Sequence, residues 1–273
     1  MKFRSIAIAA LAACCSVMPA APALAQSDLL VAPTRLVLAD NSGGEVVISN
    51  KGDSSATYRI SLVLRRMDFE GRLVAIDEAE ASPEEAAAID ILTYAPRRIT
   101  LASQESRTVR IGVRAPATMP PGEYRAHLLF RSVPDAADPT ASNDNATTDG
   151  MSIKLTPIYG VAIPVIVRVG TLDGQASISM ARVDQTDAGS VVNVDLQRSG
   201  NRSVYGDIAV MRAGSKDPVA RVKGIAVYPE IDHRTVTIPV DGASLAGKGE
   251  LTVQFVETDP LGNGQPAVAT VSR

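Results

Sequence analysis

The run Tyr124-Arg125-Ala126-His127-Leu128-Leu129-Phe130-Arg131 decides the class of this chain. Tyr124, Ala126, Leu128 and Phe130 take every second place, with Arg125, His127, Leu129 and Arg131 between them. Such alternation marks a β-strand with one face on a core and the other in water. The pattern recurs upstream, where Tyr58, Ile60, Leu62 and Leu64 alternate with Arg59, Ser61, Val63 and Arg65, and again in Val109, Ile111 and Val113. Downstream it returns in Val192, Val194 and Leu196, in Val236, Ile238 and Val240, and in Leu251, Val253 and Phe255. Turn sequences such as Asn41-Ser42-Gly43-Gly44, Pro120-Pro121-Gly122, Asp187-Ala188-Gly189 and Asp259-Pro260-Leu261-Gly262-Asn263-Gly264 punctuate these runs. Many short strands at this spacing predict an all-β chain built of β-sandwiches. One helix interrupts them. Ser82-Pro83-Glu84-Glu85 offers an N-cap, a proline at the first helical position and a capping-box glutamate, and the residues to Ile91 continue it.

With 273 residues the chain has room for two domains. A Gly-Asp segment at 169–174 is read as their boundary, giving domains at 27–168 and 175–273. Residues 134–150, rich in Asp, Ala, Asn and Thr, read as a flexible loop of the first domain.

The N-terminus reads as an export leader. Lys2 and Arg4 precede a run of apolar and small residues from Ile6 to Met18, and Ala23-Leu24-Ala25 supplies the small-x-small cleavage pattern. The run is shorter than the roughly 20 residues that span a bilayer. The leader at 1–25 therefore predicts an exported protein. A rival reading takes Leu11-Ala12-Ala13-Cys14 as a lipoprotein box that lipidates Cys14. Cleavage after Ala25 removes Cys14 and Cys15, the two cysteines of the chain, so the mature protein has no disulfide. Sandwiches of this size can stand without one.

The net charge of −3 excludes a general nucleic-acid binder, which needs a basic surplus. Enzyme signatures are missing: no cysteine nucleophile survives cleavage, and there is no G-x-S-x-G elbow or glycine-rich phosphate loop. His127 and His233 are the two histidines. Neither has a partner at ligand spacing, so both read as ordinary strand or turn residues, and no metal or other cofactor is expected. The chain reads as a non-enzyme with no small-molecule substrate.

Two features are left over. Arg35 opens the first mature strand in Ala32-Pro33-Thr34-Arg35-Leu36-Val37-Leu38. It reads either as an edge charge that discourages aggregation or as an anchor for an anion. Residues 153–169, Ile-Lys-Leu-Thr-Pro-Ile-Tyr-Gly-Val-Ala-Ile-Pro-Val-Ile-Val-Arg-Val, are long, apolar and β-branched, yet carry Pro157 and Pro164. Prolines belong at strand edges, so this segment reads as a strand with an unpaired side, open to a strand from another chain.

These pieces, in their order, resemble the periplasmic pilus chaperones, the PapD-like family. Pro33-Thr34-Arg35 with Val47-Ile48-Ser49-Asn50 is similar to its opening strands. Tyr94 to Leu101 followed by Arg107-Thr108-Val109-Arg110-Ile111 resembles its middle segment. Gly122-Glu123-Tyr124 through Phe130-Arg131-Ser132-Val133-Pro134 resembles its F strand, and Ile163-Pro164-Val165-Ile166-Val167-Arg168 the end of its G strand. The resemblance implies two immunoglobulin-like β-sandwiches in an L-shaped arrangement. It also implies donation of the G strand to pilus-type subunits, with an outer-membrane usher as a further partner. The donor residues would be Leu155, Tyr159, Val161 and Ile163. Arg35 would anchor the subunit's C-terminal carboxylate, beside a lysine for which this chain has Pro164. Glu123, Arg168 and Asp259 would form a salt bridge between the domains. The alternative is a structural or adhesive β-sandwich protein of a surface appendage.

Overall fold

The computed structural model describes residues 28–134, 158–187, 189–245, 249–259 and 265–272. The leader with Cys14, nearly all of the 134–150 loop and Leu155 lie outside them.

The alternating runs form the strands. In the first half these are β1 (Leu29–Ala32), β2 (Leu36–Ala39), β3 (Gly43–Asn50), β4 (Ala56–Met67), β5 (Leu73–Ile76), β6 (Leu92–Ala95), β7 (Arg98–Leu101), β8 (Ser106–Val113), β9 (Gly122–Val133) and β10 (Gly160–Val169). One sheet runs β1-β3-β8-β6 and the other β2-β10-β9-β4-β5, with β7 also on β4. Val46 and Ile48 of one sheet face Ile60, Phe130 and Val165 of the other across a shared core. The opening strand serves both sheets. β1 pairs antiparallel with β3, Pro33 and Thr34 carry the chain across, and β2 then pairs parallel with β10.

Helix α1 (Pro83–Ile91) joins β5 to β6 and has the anticipated capping box: Ser82 accepts from the Glu85 amide, and Glu85 accepts from the Ser82 amide. At the start of β9 the Tyr124 hydroxyl donates to the carbonyl of Pro120 at 2.8 Å. This is the tyrosine corner that pins the entry of the corresponding strand in immunoglobulin-like folds.

The second half holds β11 (Gly174–Thr186), β12 (Gly189–Gly200), β13 (Val204–Arg212), β14 (Ala220–Val227), β15 (His233–Val240), β16 (Leu251–Glu257) and β17 (Ala267–Thr270). Its sheets run β11-β12-β15 and β14-β13-β16-β17, closing over Val192, Leu196, Ile208, Ile238 and Phe255. The chain is thus all-β, two immunoglobulin-like β-sandwiches in series.

One expectation needs correcting. The second face of β9 is not wet along its length. Val37, Met67, Leu73 and Ile166, all from the first half, pack into the apolar cluster of the second. On the polar row of β9, Arg125 meets Tyr228 and Glu230 of the second half, and His127, read as an ordinary strand residue, is 0% exposed. Alternation records which residues share a face. It does not say that a second domain will cover the polar one.

Candidate functional site at the domain seam

The seam is built from the ends of strands. Arg168, near the end of β10, stands opposite Glu123 at the start of β9. Its Nε donates to Glu123 Oε2 at 3.1 Å, while Nη1 and Nη2 reach Asp259 Oδ1 and Oδ2 at 3.2 and 2.7 Å. Asp259, just past β16, is also met by Arg35 Nη1 at 3.1 Å. Ser203 closes the ring: its amide and hydroxyl both donate to Glu123 Oε2, and its hydroxyl accepts from Arg35 Nη2. Burial works against the Arg168 charge, but the bonds and charges of Asp259 and Glu123 outweigh it and hold its pKa above the ordinary arginine value. The structure therefore brings Glu123, Arg168, Asp259 and Arg35 into one buried network.

A second set of contacts lies around the turn after β4. The Met67 amide donates to Glu230 Oε1 at 2.9 Å, the same oxygen that takes Arg125 Nη2. The Arg125 guanidinium sits 3.6 Å from the centre of the Tyr228 ring. Phe69 stacks on His233 with ring centres 4.5 Å apart, and its carbonyl accepts from the Thr235 amide.

Between these sets opens a cleft of about 300 Å³, lined among others by Thr34, Arg35, Pro164, Tyr205, Tyr228 and Arg234. Arg35 lies over the Tyr205 ring at 4.4 Å. Pro164 lines this cleft, so the position where the resemblance places a lysine does face it, without a charge. Pattern reading missed Ser203, Tyr205, Tyr228 and Arg234. They lie in the second half, where the resemblance singled out Asp259 alone; the one available signal was that two of the chain's six tyrosines fall here.

The other predicted residues lie along β10. From Val165 onward this strand is flanked by β2 on one side and β9 on the other. From Gly160 to Pro164, among the described residues, only β9 pairs with it. Tyr159 precedes the strand and is fixed by Ser132, whose amide and hydroxyl both donate to its carbonyl. Tyr159 is 48% exposed and Ile158 49%. Val161 is half-buried, whereas Ile163 is 2% exposed within the first core.

Among the described residues no three His, Cys, Asp or Glu side chains are grouped to hold a metal ion, and no helix is long and apolar enough to cross a membrane.

No family model matches the chain, and no curated protein matches its sequence. Among solved structures it is similar to the YadV chaperone, at 14% identity and a TM-score of 0.48 over 89% of this chain and 100% of that one. It is also similar to the E. coli chaperone DraB, at 14% identity and a TM-score of 0.45 over 89% of this chain and 96% of that one. A third is the CsuC chaperone in its complex with CsuE, from the archaic Csu pili of Acinetobacter baumannii, at 12% identity and a TM-score of 0.45 over 90% of this chain and 98% of the matched one.

Proposed function

We propose that the chain is an exported, periplasmic chaperone without catalytic activity that caps pilus-type subunits by lending them the first half of β10. One observation carries the reading. Among the described residues, Gly160 to Pro164 has a ladder partner on one side only, next to the exposed apolar side chains of Ile158 and Tyr159. A sandwich that lacks a strand can complete itself on such an edge, with main-chain bonds for affinity and alternate side chains for specificity. Tyr159 and Val161, with Leu155 before them, supply those side chains. Ile163 serves as the root that ties the donor strand into its own core. The cleft at Arg35 takes the C-terminal carboxylate of the subunit, the buried ring of Glu123, Arg168 and Asp259 fixes how the two sandwiches meet, and an outer-membrane usher receives the loaded complex.

Co-expression with a pilus-type subunit tests this. The wild-type chain yields a soluble one-to-one complex on size exclusion, and Tyr159→Glu combined with Val161→Glu abolishes it while the chaperone itself stays folded. A complex that survives both changes overturns the strand-lending reading. Self-association of the chain, with no subunit captured, points instead to a structural or adhesive protein of an appendage.

A further inference from the structure

The cleft holds a second arginine, contributed by the other sandwich. Arg234 leaves β15 and presses its guanidinium against Gly71 in the turn between β4 and β5, where an added Cβ would meet its Cζ at 2.0 Å. Nη1 donates to the carbonyl of Ala226 at 3.0 Å, and Nε is buried without a partner. Among the described residues no carboxylate pairs with Arg234. Burial pulls its pKa below the ordinary arginine value, only partly offset by the charges of Tyr228 and Asp68.

Arg35 is in a different state. Two of its nitrogens are engaged with Asp259 and Ser203, leaving a buried Nε. Among the described residues that line the cleft there is no acid. Among the described residues the site therefore has one guanidinium that no carboxylate pairs, two N–H donors, Arg35 Nε and Arg234 Nε, with no protein acceptor, and two tyrosine rings as walls. A partly buried cation in this condition is favoured further by a ligand that supplies charge and acceptors together. A carboxylate does both, because its two oxygens match the guanidinium fork.

We propose that Arg234, reaching in from the second sandwich, is the principal anion-binding side chain of this cleft and holds a carboxylate against Arg35. The inference rests on reading the cleft as the place where a partner's carboxylate docks, but it moves the main charge to a residue that the first sandwich does not contain. The anion then bridges the two sandwiches.

The probe is citrate, titrated against the folded mature chain in a thermal-shift assay, with chloride at matched ionic strength as the reference. Citrate is expected to raise the melting temperature beyond chloride, as any ligand of the folded state does. Arg234→Met weakens the apparent affinity roughly tenfold or more, and Arg234→Lys, which keeps the charge but loses the fork, falls between. Arg35→Met weakens it less. No stabilisation over chloride in the wild type overturns the anion site. An Arg234→Met chain that responds to citrate like wild type, while Arg35→Met has lost the response, overturns the assignment to Arg234. Subunit capture is scored separately, so failure of the strand-lending reading shows as a missing complex whatever citrate does.

Discussion

Arg168 grips Asp259 through both Nη atoms across 91 residues of sequence, joining the last strand of the first sandwich to the segment after β16. The two side chains are 6% and 0% exposed. Asp259 also receives Arg35, so a single carboxylate answers two buried guanidinium groups. Removing one partner of a buried pair leaves a charge without compensation, which typically costs 3–5 kcal/mol. Asp259→Ala is therefore expected to lower stability by about that much, measured by urea denaturation. A loss under about 1 kcal/mol would show that the seam is not held by this group.

His127 should make stability depend on pH. Burial, then the nearby charges of Arg125 and Arg65, lowers its pKa from 6.5 to about 3. The folded state keeps the ring neutral where the unfolded chain would already bind a proton. This contribution is therefore fully present above pH 6.5 and is lost as the pH falls towards about 3. The slope approaches about 1.4 kcal/mol per pH unit within that window. Chemical denaturation of wild type and His127→Leu at a series of pH values checks this, and the leucine chain is expected to lose markedly less stability on acidification.

Gly71 is predicted to reject any side chain. Its φ is +83°, and an added Cβ would meet the Arg234 guanidinium. Gly71→Ala should cost more than about 1 kcal/mol, since alanine is strained at positive φ even in open space. Gly214, with the same φ and nothing near its Cβ, is the control: Gly214→Ala carries the backbone strain alone. Equal losses at the two sites would mean that Arg234 yields freely.

The tyrosine corner gives a smaller effect. Tyr124→Phe removes the bond to Pro120 while keeping the buried ring, and should destabilise by about 0.5–1.5 kcal/mol, with little change in the dependence on denaturant.

Much of the architecture was legible in the sequence because it rests on local rules. The alternation of Tyr124 to Arg131, the capping box at Ser82 and the turn sequences each depend on neighbours a few residues away. Arg35 stood out from its place at the start of a strand, but Glu123, Arg168 and Asp259 could be singled out only through a family resemblance, since no local pattern links residues 91 positions apart. The burial of His127 escaped notice because what covers a strand's polar face leaves no mark on the periodicity of that strand. Arg234 stayed hidden for the complementary reason: it sits in an ordinary alternating strand, and what distinguishes it is Gly71, contributed by the other half of the chain.

β10 lies against β9 along ten residues, from Gly160 to Val169. Tyr159 precedes it, and Arg168 sits near the far end. A pull on Tyr159 along the strand loads the ladder with β9 in shear, so its hydrogen bonds must yield together rather than unzip one at a time. Beyond Pro164 the strand gains β2 as a second rail, and behind that lies the Asp259 clasp. Resistance to such a pull is thus expected to rise along one strand, from the singly paired stretch at Gly160 to the doubly paired one at Arg168.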